Sequence, residues 1–295
     1  LKEFRLNPVS IAALSLTLAT VVFVQGASAK TVKTTKVVTE TKTTGSGKVN
    51  TAAYQALKQG VALLGQHKGQ EAEAKFNEAI KLQPDYARAY ANRANIHMMR
   101  KHYRAAIADC DKAISHDPKL TMAYVNRSWA ENALNMHVKA AEDASKAIEL
   151  SPKTAIAYVN RSHALNQGGK HKEALADANK ALELSPKLAI GLVNRAHSYV
   201  MLGEYKKAIE DCDAAIEISP NLARAYVNRG RALRHLGQYE KALVDLNKAI
   251  SIDDTLGSAY FNRAEAYQKL AETDLKDAKK LGYTAVTEGT VKSTH

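Results

Sequence analysis

The feature that most constrains this chain is a recurrence. Ala-Tyr-x-Asn-Arg stands at Ala89–Arg93, Ala123–Arg127, Ala157–Arg161, Ala225–Arg229 and Ala259–Arg263. The variant Gly191-Leu192-Val193-Asn194-Arg195 fills the gap, so the spacing is 34 residues throughout. Pro84, Pro118, Pro152, Pro186 and Pro220 share that period, as do Ala72, Ala106, Ala140, Ala174, Ala208 and Ala242. A period of this length means an array of supersecondary units, each burying its apolar face only against its neighbours.

Each unit carries two short helical patterns. In one unit the first runs from Ala223 to Leu236, Gly237-Gln238-Tyr239 forms a turn, and the second runs from Lys241 to about Ile252. Small residues at Gly230 and Ala242 let the two helices approach closely, and in most units a proline stops the second helix. The unit from 223 resembles the tetratricopeptide repeat family at Tyr226, Gly230, Leu233, Gly237, Tyr239, Ala242, Leu246 and Ala249; Asp254 stands where other units have Pro. The resemblance implies an all-α fold, a right-handed superhelical solenoid of helix-turn-helix hairpins whose first helices line a concave groove. Seven units start at 53, 87, 121, 155, 189, 223 and 257, within a solenoid spanning residues 51–283.

The terminal units depart from the pattern. The first has Lys58-Gln59 in place of Asn-Arg. The last fits only if the five positions after Leu270 are missing, which removes the turn. Residues from Ala259 to about Leu281 are then expected to form one helix, with Tyr260, Ala264, Tyr267, Ala271, Leu275 and Ala278 on a face that covers the array's end.

Two charges travel together. Arg93, Arg127, Arg161, Arg195 and Arg229 are each followed sixteen residues later by Asp109, Asp143, Asp177, Asp211 and Asp245. In the last unit the deletion brings Asp274 to the equivalent place after Arg263, and the first unit has Gln59 and Lys75 instead. This pattern predicts ion pairs joining the helices of one unit or of adjacent units; the alternative is two independently solvated charges. It makes these arginines structural before anything else.

By the resemblance, the concave face holds Asn92, Asn126, Asn160, Asn194, Asn228 and Asn262. Such a row implies a ladder gripping the backbone of an extended peptide, since an amide both donates and accepts; the alternative is bonding within each helix. Met122, Val125, Ile156, Val159, Ile190 and Val193 would give an apolar middle, part of which could be core. Trp129, His163 and His197 follow on the same face, Trp129 being the candidate hot spot. Arg224, Arg231, Arg234 and His235 make the C-terminal groove basic, with Glu265 a rare acid. An extended segment carrying apolar and acidic residues fits best. A carboxylate clamp for C-terminal tails is unsupported: its aligned places hold Leu57, Val61, Asn92, Met122 and Asn126, and only Asn92 fits.

No nucleophile–base set, phosphate-binding glycine loop or zinc spacing occurs. The sequence therefore points to a protein without enzymatic activity, cofactor or metal. His163 and His197 would lie roughly 10 Å apart by helix packing distances, too far to share a metal easily. Cys110 and Cys212, three units apart, lie beyond the roughly 7 Å that a disulfide spans and read as buried free thiols.

Residues 1–29 read as an export signal: Lys2 and Arg5, an apolar run from Val9 to Val24, then Ala27-Ser28-Ala29. The alternative is a membrane anchor, for which the run is short of the ~20 residues a span requires. Residues 30–50 form a basic Thr/Lys-rich linker, and 284–295 a polar tail. The chain's formal charge of +12 would favour nucleic acid, but export to a periplasmic or secreted location argues against that. The expected partner is a protein or peptide. An acidic envelope surface or polymer held by the linker and Arg cluster, or self-association of solenoids end to end, are the alternatives.

Overall fold

The computed structural model describes residues 49–283. The expectations for residues 1–29, for nearly all of 30–50, and for 284–295 fall outside them. Thirteen helices occupy the described residues. Hairpins pair α1 (Thr51–Gly65) with α2 (Gly69–Leu82), α3 (Ala87–Met99) with α4 (Tyr103–His116), and α5 (Thr121–Ala133) with α6 (His137–Leu150). They continue with α7 (Ala155–Gln167) and α8 (His171–Leu184), α9 (Ala189–Met201) and α10 (Tyr205–Ile218), and α11 (Ala223–His235) and α12 (Tyr239–Ile252). Helix α13 (Gly257–Lys280) stands alone. None of these helices is long and apolar enough to cross a membrane.

The helices are held together by what is small. Ala72, Ala106, Ala140, Ala174, Ala208 and Ala242 are fully buried, as are Ala79, Ala113, Ala147, Ala181, Ala215 and Ala249 later on the same second helices. A methyl group there lets backbones approach closely, and larger side chains fill the space between units. At Gly230 even a methyl would not fit: a Cβ would lie 2.8 Å from Leu246 Cγ and 3.2 Å from the Ala242 carbonyl. Each hairpin reverses through one residue of positive φ, at His67, Lys101, Asn135, Gly169, Gly203 and Gly237. The next N–H then reaches back five residues, as from His102 to the His97 carbonyl and from Gln238 to that of Leu233. That closure satisfies the carbonyls at the helix end.

Helix α13 is continuous for 24 residues, through the point where the sequence lacks a turn. Its apolar stripe does not cover the array, correcting the expectation. Ala259, Asn262 and Ala266 are the buried residues, while Tyr260, Tyr267 and Leu275 are 41%, 53% and 59% exposed. The reason is geometric. The stripe is the face on which a first helix meets its own second helix, and a rod that never turns brings no second helix back.

Candidate functional site

Every internal unit is joined to its neighbours by an arginine with three attachments. Arg161 donates from Nε and Nη2 to Asp177 on its own second helix, both at 2.7 Å, and from Nη1 to Ser145 on the preceding unit's second helix at 3.2 Å. Arg93, Arg127, Arg195 and Arg229 grip Asp109, Asp143, Asp211 and Asp245 in the same two-pronged way. Their third contacts are Asn77, Asp111, Asn179 and Asp213. Within-unit and between-unit attachment thus occur together. In four of these units the guanidinium also lies 5.5 to 5.8 Å from the centre of a tyrosine ring, Tyr90, Tyr124, Tyr158 or Tyr226. Those tyrosine hydroxyls donate to the carbonyls of Pro84, Pro118, Pro152 and Pro220.

The last pair does not form. Arg263 donates to Asn247 at 2.8 Å, whereas Asp274 is exposed on the same unbroken helix. Eleven residues along one helix separate them by about 16 Å.

The asparagine row lies inside the solenoid instead of forming a ladder open to the groove. Asn126, Asn160, Asn194 and Asn228 are buried and donate to the carbonyls of Ala91, Val125, Val159 and Val193, each on the preceding first helix. Those carbonyls use a second lone pair for the purpose. Asn92 and Asn262, at the ends, bond within their own helices, to Arg88 and Ser258. The Asn-ladder expectation fails because adjacent first helices pack closely enough for each amide to reach protein backbone. Val125, Val159 and Val193 are core, while Met122, Ile156 and Ile190 pack partly against it.

A second set of bonds recurs at the 34-residue spacing in two units only, too few to mark it in the sequence. Asn132 donates to the Asn160 carbonyl, and Asn166 to the Asn194 carbonyl and to Ser198 Oγ. Buried Ser128 and Ser162 donate to the carbonyls of Ala140 and Ala174.

What remains for the groove is a column of rings. Tyr103 meets Trp129 edge-on at 5.9 Å between centroids, His137 meets His163 at 6.1 Å, His171 meets His197 at 6.3 Å, and Tyr205 stacks on His235 at 4.7 Å. Each pair spans two successive units. Trp129, half-buried, also packs on the cluster of Ala94, Met98 and Ala130. Burial pushes His163 down to about 3, with Arg224, His137 and His197 adding to the effect. Burial likewise pushes His197 down to about 4, helped by Arg231 and His171 and opposed by a hydrogen bond with Asn228. Both rings are neutral acceptors or donors near pH 7. Arg224 is exposed, and its charge is felt at Tyr103 as well as at His163 and His197, so it faces the ring column across several units. Arg231 is held below the usual guanidinium range by burial and by Arg234. Arg234 is neutralised by Glu265 at 3.1 Å, while Arg224 and Arg231 form no ion pair among the described residues. Cys110 and Cys212 are buried free thiols. No group of three potential metal-ligating His, Cys, Asp or Glu side chains occurs among the described residues.

Tetratricopeptide repeat family models match residues 87–120, 155–188 and 187–254. No curated protein sequence matches the chain. Solved structures share the fold. One is the APC/C hetero-tetramer Cut9-Hcn1, 18% identical with a TM-score of 0.65 over 72% of this chain. PilW, a type IV pilus biogenesis factor, is 18% identical with a TM-score of 0.60, covering 72% of this chain and 98% of its own. A tetratricopeptide repeat protein from Parabacteroides merdae is 20% identical with a TM-score of 0.56, covering 80% of this chain and 95% of its own. The chain spans only 42% of the first of these, and at such identities the likeness concerns the fold alone. The family matches, the 34-residue period and the stacked helical hairpins agree: this chain is a multi-repeat member of the tetratricopeptide repeat family.

Proposed function

We propose that this protein is a non-enzymatic interaction scaffold that holds an extended, acidic and partly apolar segment of another protein against the ring column of its concave face. The observation that carries the reading is the pairing of partly buried rings at Trp129, His163 and His197 with two cations, Arg224 and Arg231, that form no ion pair among the described residues. Flat rings offer apolar contact at low entropic cost, and a cation facing them favours a carboxylate of the ligand. The repeat family supports the coarser reading of a scaffold. The asparagine row has a different part here: it sets the spacing of the groove wall.

The test is a crosslinked pull-down with wild type and with Trp129→Ala/Arg224→Glu, circular dichroism establishing that both are folded. A partner captured by wild type and lost by the variant supports the groove. Equal capture by both overturns it. Residues 1–29 favour export, so the native fraction to probe is the periplasmic or secreted one; sequencing the mature N-terminus and finding Lys30 would support that location, and an intact Lys2 would count against it.

A further inference from the structure

We propose that α13 is shared between two copies of this chain. The two α13 helices pair antiparallel, and the second half of each serves as the missing second helix of the other's last unit.

The argument begins with the deletion. The unit from 257 keeps the residues of both its helices but lacks the turn between them, so α13 runs straight and its second half cannot fold back. The face awaiting a second helix is therefore open. Tyr260 is 41% exposed, whereas its counterpart Tyr226, in a complete unit, is 8% exposed; Leu275 is 59% exposed, and its counterpart Leu246 is fully buried. The two halves of this stripe are complementary in kind. Tyr260, Ala264 and Tyr267 form a first-helix face, and Ala271, Leu275 and Ala278 form a second-helix face.

Charge fixes the register. Arg93, Arg127, Arg161, Arg195 and Arg229 each hold an aspartate with two hydrogen bonds, but Arg263 has no carboxylate partner among the described residues and Asp274 is exposed. In the preceding unit Arg229 holds Asp245, and Gly230 lies against Leu246 and the Ala242 carbonyl. Carried into the last unit, that register sets Arg263 against Asp274, and Ala264 against both Ala271 and Leu275. Within one rod these residues cannot meet. Between two antiparallel rods they meet twice over. All three pairs are symmetric about points within a residue of the Gln268–Lys269 junction, which is the middle of Gly257–Lys280. A two-fold axis there overlaps the helices along nearly their whole length and closes both Arg–Asp pairs together, giving an isologous dimer.

The test is sedimentation velocity of the chain across concentration, with Arg263→Asp, Asp274→Arg and an equimolar mixture of the two. Wild type is expected to show a concentration-dependent dimer. Each single reversal should weaken it roughly 30-fold or more, as expected for breaking a desolvated charge pair. The mixture should recover a heterodimer. At one of its two junctions the two substituted side chains face each other with opposite charges, and at the other the native Arg263 of one copy faces the native Asp274 of its partner. Leu275→Glu, at an exposed position, should abolish association without loss of helicity. A chain that stays monomeric at all concentrations overturns the proposal, as does a dimer indifferent to both reversals. So does a monomer that dimerises only once residues 284–295 are removed, which would make that polar tail the occupant of the stripe.

Discussion

Asp177→Ala is the sharpest probe of how the array holds together. The carboxylate is 9% exposed and accepts two 2.7 Å bonds from Arg161, which is 27% exposed. Cutting one side of a fully buried pair costs about 3–5 kcal/mol, and an exposed pair contributes about 1 kcal/mol or less. This pair lies between those limits. Arg161 keeps Ser145 and the Tyr158 ring after the substitution, which moderates the loss. The expected destabilisation is about 2–3 kcal/mol, a midpoint drop on the order of 5–10 °C for a solenoid of this size. Thermal and urea unfolding of the full chain would measure it, with Glu183→Ala as the internal control. Glu183 pairs with Lys180 at 2.8 Å on the surface, both partners being well exposed, so its loss should stay within about 0.5 kcal/mol. Arg161→Leu with Asp177→Leu should recover much of the stability, because apolar packing commonly replaces a buried pair without penalty. Asp177→Ala melting with wild type, or the double variant faring no better than the single, would refute the argument.

Three further outcomes follow from other parts of the molecule. His163 and His197 are neutral in the folded state down to about 3 and about 4, whereas unfolded histidine titrates near 6.5. The unfolded chain therefore takes up more protons below that value, so stability should fall as pH drops from about 6.5 towards 4, by on the order of 1–3 kcal/mol, and His163→Gln/His197→Gln should flatten the slope in urea titrations. Burial, followed by the nearby Asp143 charge, pushes Glu131 up to about 7, so it costs stability progressively as pH rises from about 4.5 to 7. Glu131→Gln should unfold about 1–3 kcal/mol later than wild type at pH 8 and alongside it at pH 4; a stabilisation present equally at both values would count against the assignment. Gly230→Ala should destabilise by about 1–3 kcal/mol through overpacking on Leu246, read as a lowered urea midpoint, and a neutral result would mean that the helices can separate without cost.

The period was legible because close packing leaves so few choices. Full burial of one alanine in every second helix is a demand the sequence must meet every 34 residues, and it does. The Arg–Asp association was legible because two charges that appear together and vanish together leave a joint trace. The third arm of each arginine was not, since its acceptor is Asn, Asp or Ser according to the unit, and such a position has no fixed letter. The destination of the asparagines was illegible for a deeper reason. Their acceptors are backbone carbonyls, which every residue carries, so nothing in the sequence marks Ala91 or Val125 as the partner. Asp274 shows the opposite hazard. Across the gap it has the right neighbours in sequence and the wrong ones in space, because within one chain only a turn could return it to Arg263.

The cross-unit asparagine bonds bear on how such an array can change in length. Each internal amide reaches the carbonyl 35 residues earlier, and each arginine reaches an acceptor sixteen residues on either side. These offsets are the same from unit to unit, so excising residues 155–188 would set Asn194 against the Val125 carbonyl and Arg195 against Ser145, acceptors already used by their predecessors. Every junction would be remade from parts that already fit. Unit number is therefore a quantity that duplication or loss of one whole module can alter in a single step, with no compensating substitution at the seam, whereas a shift of even one residue would misalign every bond across it.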